Sequence, residues 1–578
     1  MNAHRHVHAR TARLAGSAAV LLCLGVLAAT FVTYAGSLGN GPVSDDRPLV
    51  VDNPYLGSIA GLGRIWTTDL STASSVGEPS SYYRPFAMVA FWVNVALGGR
   101  SPASLRVGNV LIHAANAILL ALFARRATGL GWRPAGLVAL LFAVAPICSE
   151  PVLWISGRFD LLVVTFGLLA LFSARMKGGI GLALGLASVA AGLLCKESFT
   201  SCLPLLLLDD AFVRRAAPRQ LLPKYLAVAT MTAAYFAVRE IVGLPSLHAL
   251  TETGGRALAE SFLFLAGTFL RELAWPTTLD PFRPYVPPSP AEIAMISAVL
   301  GALVVAPILA FRRNRRSLMA RIAILGIAWF LVTTIPSAVV GPTVAMVGDR
   351  YAYVPLLGLF LAATTVVGAL EARLARGALL TSLLGSALAI AWAICTDLHS
   401  RVWRNDISLA ESSLASSPEN PFALYLLGSN AAQHGQLAKA DDLLARSLAR
   451  NPGSWRTWNA VCYLRLHQNR LAEAERACEE TIARRADNPR AWVNLASVYV
   501  REGNWKDAMA SADRALTLKP GYVEAHFLAG VSAANLGLYA VAEAHVRAGL
   551  AVEPSHGGLL SFKADLERYR RDRPPPSP

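Results

Sequence analysis

The feature that most constrains the fold is a succession of apolar runs, each close to the length of a membrane-crossing helix. A spanning helix needs roughly 20 apolar residues, because each residue advances about 1.5 Å through a hydrocarbon layer about 30 Å thick. Only 16% of the residues are charged, against about 25% in soluble proteins, and this excludes an ordinary soluble enzyme. We predict about eleven spans, at residues 13–34, 103–124, 134–154, 158–174, 178–195, 198–212, 222–240, 291–311, 319–340, 351–370 and 377–395.

Basic residues in the connections predict the orientation of these spans. The positive-inside rule places the basic connections in the cytoplasm, so the net charge of +15 indicates loop anchors and not a nucleic-acid partner. This orientation requires that 256–275 does not cross, and Arg271 and Glu272 near its end favour an interfacial helix. The N-terminus is then inside and the C-terminus outside. If 256–275 crosses, the count is twelve and the tail lies inside. The basic residues are Arg125, Arg126, Arg133, Arg175, Lys177, Arg214, Arg215, Arg219, Lys224, Arg312, Arg313, Arg315, Arg316, Arg373 and Arg376.

The last third of the chain repeats every 34 residues, which is the tetratricopeptide period. Every repeat has Ala at its twentieth position, where paired helices cross closely, and a small residue at its eighth. The predicted repeats begin at Pro421, Trp455, Pro489 and Val523. Such an array is a binding surface for a partner protein and not a catalyst.

These patterns predict an all-α fold, a polytopic membrane helix bundle followed by a tetratricopeptide α-solenoid. We assign residues 1–400 to the membrane domain, 401–420 to a linker helix and 421–556 to four repeats. Residues 557–578 are predicted to form a capping helix and a disordered tail, since a solenoid needs a polar cap at its end.

Two cysteines of the second repeat are predicted to face each other between its paired helices. Cys462 and Cys478 stand at positions eight and twenty-four. A disulfide forms here if the tail lies in an oxidising compartment, and the alternative is a pair of small core residues. The chain contains no C-x-x-C pair, so no zinc or thioredoxin motif is predicted.

The first long outer loop, 35–102, carries the acidic pair Asp45-Asp46 directly after the first span. Neighbouring carboxylates repel each other, which raises the pKa of one of them and suits a general base. A solvated acidic loop is the alternative. Further along, Arg84 is a candidate interfacial anchor. Asn109 and His113 share one helix face within a span, which suits either a packing hydrogen bond or a substrate contact.

Three cation–anion pairs lie at the predicted outer mouths of spans. They are Arg158 with Asp160, Lys196 with Glu197, and Arg350 with Asp349 and the adjacent Tyr351. Anchoring alone needs basic residues on the cytoplasmic side, so three outer pairs exceed that need. Clustered together, they predict a pocket for a phosphate group at bilayer depth, in which an Arg forks onto the phosphate.

The ordered set of these motifs resembles the eukaryotic transmembrane and tetratricopeptide-repeat O-mannosyltransferases over nearly the whole chain. It is more distantly similar to protein O-mannosyltransferases and other polytopic glycosyltransferases that use lipid-phosphate sugars. The motifs that carry the resemblance are Asp45-Asp46, Asn53, Tyr83-Arg84-Pro85, Asn109, His113, Gly157-Arg158-Phe159-Asp160, Lys196-Glu197, Asp349-Arg350-Tyr351-Ala352-Tyr353-Val354-Pro355 and the repeat tail.

The resemblance implies transfer of a sugar, mannose in the family, from a polyprenyl-phosphate to a Ser or Thr hydroxyl of an acceptor protein, with inversion. It implies Asp45 as general base and Asp46 as its positioning neighbour, although the order of the two roles stays open. Arg158, oriented by Asp160, and Arg350 are the implied contacts of the donor phosphate. Arg84, Asn109, His113, Lys196, Glu197, Asp349 and Tyr351 are the further substrate-binding or structural candidates.

No cofactor or metal is predicted beyond the lipid-phosphate donor, and a divalent ion at the acidic pair stays open. The prevalence of Arg over Lys fits a GC-rich bacterial source. It predicts a multi-pass protein of the bacterial inner membrane, with its repeats in the periplasm. The partners are then membrane lipid, the lipid-linked sugar and an acceptor protein. Two alternatives stand beside this function: a non-catalytic tetratricopeptide scaffold for an envelope complex, and a lipid-linked sugar transporter or ligase.

Overall fold

The computed structural model describes residues 2–74, 82–176, 178–242, 254–344 and 346–572. It divides into two compact units, Met1–Ser412 and Ser413–Pro578. The predicted disordered tail at 574–578 lies outside the described residues, as does Lys177. Both units are helical, and the only strands among the described residues are two short ones, so the predicted all-α fold class is confirmed.

The first unit is a bundle of α-helices joined by short 3₁₀ and π turns. Its helices are α1 Asn2–Tyr34, α2 Ile59–Thr67, α3 Pro85–Gly98, α4 Pro102–Thr128, α5 Trp132–Val144, α6 Glu150–Leu153, α7 Arg158–Ser173, α8 Gly178–Cys195, α9 Leu203–Leu208, α10 Pro218–Ile241, α11 Gly255–Ala274, α12 Pro290–Arg313, α13 Leu318–Val344, α14 Tyr353–Arg373 and α15 Gly377–Ser400. The division between the units, after Ser412, falls within α16 Asp406–Ser416. Strands β1 Arg283–Pro284 and β2 Met346–Val347 pair antiparallel.

Nine helices among the described residues are long and apolar enough to cross a membrane, so the chain is a multi-pass membrane protein. The count is two below the eleven predicted spans. The runs that fall short are 134–154 and 198–212. The nine candidates are Ser17–Gly39, Pro102–Thr128, Ile155–Ser173, Gly178–Cys195, Pro218–Ile241, Pro290–Arg313, Leu318–Val340, Asp349–Arg373 and Gly377–Arg404.

Proline breaks the run 134–154. Helix α5 ends at Val144, and the 3₁₀ turn Pro146–Cys148 follows, then the single turn α6 with Pro151 near its start. Proline lacks an N–H and clashes with the preceding turn, so a continuous helix cannot pass two of them this close together. The run is therefore broken after Val144, and the next long helix starts at Arg158.

The run 198–212 is helical but irregular. It changes from the 3₁₀ segment Glu197–Cys202 to α9 and then to the π segment Asp209–Val213. Asp209 is buried at its end and accepts two hydrogen bonds from Arg175, both of 2.6 Å. A buried carboxylate needs such a partner because an unpaired charge is costly in a medium of low polarity.

Helix α11, which covers the doubtful segment 256–275, lies alongside the proline-rich segment that follows it. The Phe264 ring lies 5.3 Å from the Tyr285 ring, centroid to centroid, and Glu272 lies 3.2 Å from Arg283. Two positions eight residues apart on α11 thus contact the same three-residue stretch. Helix α11 is not among the nine candidate spans.

The two ends of the first unit differ in their charged residues. The arginine-rich end carries Arg125, Arg126, Arg133, Arg175, Arg214, Arg215, Arg312, Arg313, Arg315, Arg316, Arg373 and Arg376. Contacts join several of its connections, since Arg126 donates to the Arg175 carbonyl and Arg215 to the Arg315 carbonyl. We call the other end, which carries the loop at 44–46, the acidic-loop end.

The second unit is a tetratricopeptide array with a capping helix. The first helix of each repeat begins at the predicted repeat start. The alanines at the twentieth positions are fully buried: Ala440, Ala474, Ala508 and Ala542. The helices are α17 Pro421–Gln433, α18 Leu437–Arg450, α19 Trp455–His467, α20 Leu471–Arg484, α21 Pro489–Glu502, α22 Trp505–Leu518, α23 Val523–Asn535, α24 Tyr539–Val552 and α25 Gly557–Asp572. In the second repeat a disulfide joins Cys462 on α19 to Cys478 on α20.

Candidate active site

The two carboxylates of the acidic pair have different environments. Asp45 is exposed, whereas Asp46 is fully buried. The Asp46 carboxylate accepts hydrogen bonds from the Val43 N–H at 3.1 Å, and from the N–H and hydroxyl of Ser156, both at 2.8 Å. The buried member therefore fixes the loop to the turn before α7, and the exposed member lies at the surface, where a substrate can reach it.

Burial decides the protonation of Asp46. It raises the pKa of this carboxyl to about 6, although the hydrogen bonds from Val43 and Ser156 and the nearby Arg106 guanidinium all act to lower it. Desolvation disfavours the charged form, and the three donors offset only part of that cost. Asp46 is thus a group whose charge changes near neutral pH.

The segment around α6 is not a continuous helix, so several of its carbonyl oxygens have no helical partner. Arg106 and Asn109 of α4 donate hydrogen bonds to these oxygens. The Asn109 amide nitrogen lies 3.0 Å from the Trp154 carbonyl oxygen and 3.1 Å from that of Ile155. The Arg106 Nε donates to the Leu153 carbonyl at 2.9 Å. Non-helical backbone at membrane depth requires such internal donors. The packing role that was open for Asn109 is therefore the one observed.

Arg158 is held entirely by neutral acceptors. Its Nε donates to Asn109 at 2.8 Å, Nη1 to the Ala90 carbonyl at 3.1 Å, and Nη2 to Asn94 and the Leu105 carbonyl, both at 2.7 Å. Its side chain is 1% exposed. The expected contact with the donor phosphate does not fit this geometry, because every guanidinium nitrogen already has an acceptor. Arg158 instead ties α7 to α3 and α4.

His113 also has a packing role. One ring nitrogen lies 2.8 Å from the Tyr353 hydroxyl and the other 3.0 Å from the Ala143 carbonyl oxygen. The residue is fully buried in the bundle core. This arrangement joins α4, α5 and α14 and leaves no ring nitrogen for a substrate.

The three predicted cation–anion pairs do converge at the acidic-loop end, but the partners are exchanged. Asp160 does not orient Arg158 and instead accepts from Lys196 at 2.6 Å. Glu197, the neighbour of Lys196, accepts from Arg84 at 2.5 Å. Each carboxylate thus pairs with a cation from a distant part of the chain. The exchange links α3, α7 and α8 in one network.

Arg350 pairs with Glu150, a residue that was not singled out from the sequence. Glu150 accepts from the Arg350 backbone N–H at 2.9 Å and from its Nη1 at 2.7 Å. The Arg350 guanidinium lies 4.7 Å from the Tyr351 ring centroid and 5.0 Å from that of Trp154. Lys196 lies 5.9 Å from the same Tyr351 ring. Arg350 and Lys196 therefore both lie close to one aromatic side chain.

Arg84 and Glu197 form a bidentate pair at the start of α3. Burial alone raises the pKa of Glu197, but the Arg84 guanidinium beside it lowers that pKa to about 2, so the carboxylate is ionised at neutral pH. Arg84 also lies 4.4 Å from the Tyr82 ring centroid and 5.0 Å from that of Phe159. The proposed anchor is thus a member of the network.

Asp349 connects this network to the proline-rich segment. It accepts from the Asp280 N–H at 2.8 Å and from Arg283 at 3.3 Å. Arg283 also donates to Glu272 at 3.2 Å, and β1 pairs with β2 directly before Asp349. The segment after α11 therefore closes one side of the cluster.

One short turn joins the acidic loop to Arg350. Asp46 bonds to Ser156, and Arg350 lies over the Trp154 ring, two residues earlier. The turn that bonds to Asp46 therefore also carries the ring that Arg350 contacts, which places the acidic loop and the cation network at the same end of the first unit.

Sequence reasoning missed Glu150, Arg106 and Asn94. Glu150 and Arg106 lie inside predicted spans, 134–154 and 103–124, and an ionisable residue within a span is a functional-site signal by itself. That signal was available for both. Asn94 offered none, because its role depends on where α3 packs. Among the residues that the structure describes, no group of three or more His, Cys, Asp or Glu side chains is arranged to hold a metal ion.

Comparison with known proteins finds similarity to named transferases. The chain is 34% identical over 198 residues to the protein O-mannosyl-transferase Tmtc1 of Drosophila melanogaster, a match that covers 32% of this chain and 22% of that protein. It is 33% identical over 153 residues to TMTC4 of Homo sapiens, which covers 24% and 21% respectively. The chain thus covers less than a quarter of the length of these relatives. Their names match the family that the motifs resemble, so the resemblance is confirmed.

The second unit matches the tetratricopeptide repeat family over residues 425–489, 463–523 and 493–556. A crystal structure of MamA is similar at 20% identity over 28% of this chain and 89% of that chain, with a TM-score of 0.24. TTC0263, a tetratricopeptide protein of Thermus thermophilus, is similar at 18% identity over 33% of this chain and 96% of that chain, with a TM-score of 0.26.

Proposed function

We propose that the chain is a membrane glycosyltransferase that moves a sugar, mannose by analogy with its relatives, from a polyprenyl-phosphate to a Ser or Thr hydroxyl of an acceptor protein. The observation that carries this proposal is that the turn which bonds to Asp46, the neighbour of the exposed Asp45, also carries the Trp154 ring that Arg350 contacts. Asp45 lies beside Asp46, which bonds to Ser156, and Arg350 covers Trp154 in the same turn. The names of the relatives support the reaction class.

In the proposed reaction the acceptor hydroxyl attacks the anomeric carbon of the donor sugar. Its proton passes to the Asp45 carboxylate, the new C–O bond forms, and the bond from the anomeric carbon to the lipid phosphate breaks with inversion. Such a general base contributes about 10² to 10⁴ in rate. Asp46 is the positioning residue, because its three hydrogen bonds hold the loop that presents Asp45.

We assign the departing lipid phosphate to Arg350 and Lys196 in place of Arg158. Their side chains are 23% and 13% exposed, whereas Arg158 is 1% exposed and fully bonded. Both cations lie within 6 Å of the Tyr351 ring centroid, so a phosphate beside this ring gains from two positive charges held in place in advance. Glu150 positions Arg350 through its backbone and its guanidinium.

We place this end of the bundle on the non-cytoplasmic side, with the arginine-rich end in the cytoplasm. As part of the same proposal, the membrane is a bacterial inner membrane, and the repeats bind the acceptor in the periplasm. The disulfide in the second repeat supports an oxidising compartment for the array. The repeat array supports a protein acceptor, since its usual partners are peptide segments.

The test measures sugar transfer from a radiolabelled polyprenyl-phosphate mannose with purified full-length chain. We expect Asp45→Asn to lower the rate about 100-fold or more, because the amide cannot accept the proton. Asp52→Asn is the matched control, an exposed Asp in the same loop, and keeps the wild-type rate. A wild-type rate in Asp45→Asn refutes the base assignment. No transfer by the wild-type chain to any envelope protein favours the scaffold function instead.

A further inference from the structure

The structure contains a cavity that the proposed reaction does not use. It has a volume of about 420 Å³ and lies at the arginine-rich end, beside the turn between α14 and α15. Arg133, from the start of α5, and Arg376, from the turn, line it together with Glu371. The cavity is therefore built from three helices and lies at the opposite end of the bundle from the acidic loop.

The two arginines of this cavity are not satisfied by the protein. Both side chains are exposed, and neither makes a hydrogen bond or an ion pair with any other part of the chain that the structure describes. The Glu371 carboxylate lies 3.1 Å from the Thr381 hydroxyl, which is closer, at 2.9 Å, to the Gly377 carbonyl oxygen. Two guanidinium groups outnumber this one carboxylate, so the charge of the lining favours an anionic ligand.

The remaining lining favours a ligand with both a charge and an apolar part. Leu374 and Leu379 line the same cavity and are 47% and 55% exposed. Helix α15 begins at Gly377 in the cavity wall, so the positive end of its dipole adds to the field of the arginines. Ser382 also lines the cavity, and its hydroxyl donates to the Ala378 carbonyl at 2.7 Å.

We propose that this cavity binds the phosphate group of an anionic membrane lipid, with Arg133 and Arg376 on the phosphate and the lipid chains along Leu374 and Leu379. The planar guanidinium fork matches phosphate oxygens. Inorganic phosphate offers the same oxygens, but it has no chains to cover the exposed leucines. The site is independent of the acidic loop and of the transfer reaction.

The test titrates the purified full-length chain in detergent with phosphatidylglycerol, phosphatidylcholine or inorganic phosphate, and counts bound ligand by native mass spectrometry. We expect phosphatidylglycerol to be retained about 30-fold more than phosphatidylcholine, since the two arginines contribute roughly 1 kcal/mol each near an anionic surface and about 1.4 kcal/mol is tenfold. The double variant Arg133→Gln/Arg376→Gln loses that preference. The double variant Arg312→Gln/Arg313→Gln removes the same charge from exposed positions outside the cavity and keeps it.

Three results overturn the proposal. The first is equal loss in both double variants, which assigns the attraction to the whole basic end. The second is equal retention of the two lipids by the wild-type chain. The third is inorganic phosphate that binds as tightly as phosphatidylglycerol and displaces it, which identifies a soluble anion as the ligand. Thermal melting of each variant shows that it is folded before binding is compared.

Discussion

The two ends of the membrane bundle use charge in opposite ways. At the acidic-loop end, Glu150, Asp160 and Glu197 each pair with a cation from a distant part of the chain. At the arginine-rich end, Asp209 and Asp210 are paired, and most of the remaining arginines are exposed. A balanced buried network fixes side chains in one geometry, which a reaction requires. A surplus of one sign on the surface serves orientation and attraction.

The largest expected effect comes from breaking the balanced end at Glu150. Glu150→Ala leaves the Arg350 guanidinium without its carboxylate, and we expect a loss of about 2–4 kcal/mol in the free energy of unfolding, because Arg350 stays partly exposed. Thermal melting in detergent measures the loss. Glu240→Ala, an exposed Glu near the end of α10, is the control and changes the melting temperature little.

The substitution Glu150→Gln tests whether Glu150 positions Arg350, apart from its effect on the stability of the fold. The amide still accepts from the Arg350 backbone N–H, so the fold is kept, but the guanidinium loses its charged partner. We expect a raised KM for the lipid-phosphate donor with a smaller change in kcat. An unchanged KM in this variant contradicts the positioning role.

A pH series gives the next largest effect and concerns Asp46. Burial raises the pKa of this carboxyl from 3.8 to about 6, so the fold favours the neutral acid. Its contribution to stability is present below pH 3.8 and is lost as the pH rises to about 6, by roughly 2–3 kcal/mol. Asp46→Asn lacks this titration, so wild-type and variant melting temperatures should diverge between those values and run parallel above pH 6.

The transfer rate responds in the opposite direction. Protonation of the carboxyl weakens the hydrogen bonds that it accepts from Val43 and Ser156, so we expect the wild-type rate to fall below about pH 6. Rates over pH 5–8 in wild type and Asp46→Asn measure this. An acidic limb that stays in place in the variant assigns it to another group.

The smallest expected effect is at the arginine-rich end. Arg312→Gln/Arg313→Gln changes exposed side chains, and surface substitutions of this kind alter stability by at most about 0.5 kcal/mol each. We expect transfer to be unchanged and the melting temperature to stay within about 2 °C of the wild type. A large loss of transfer here indicates that the two ends are energetically coupled and removes the contrast between them.

Much of the architecture follows from the sequence, because apolar length and the 34-residue period are local signals. The apolar length depends on the residues of one helix, and the period depends on the packing within one repeat. The breaks at Pro146 and Pro151 were also visible, yet the apolar composition around them masked the turn. Two prolines within an apolar run of this length indicate a broken helix, even where the hydropathy of the run is high enough for a membrane span.

The site was only partly predictable from the sequence. The sequence predicted pairs between neighbouring residues, whereas in the structure Asp160 binds Lys196 and Arg158 binds Asn109. Sequence neighbours on a helix face different directions, so adjacency does not make an ion pair. Pairing depends on which helices pack together, and that is a property of the whole bundle.

The disulfide of the second repeat has a mechanical consequence. Cys462 and Cys478 are 16 residues apart, and a fully extended segment of that length is about 5 nm long. Because the disulfide closes this segment into a loop, a pulling force cannot extend it. Under a pulling force, as during extraction by a processive protease, this helix pair can tilt and peel from its neighbours but cannot be drawn out straight. The array therefore contains one loop that only a reducing agent can release.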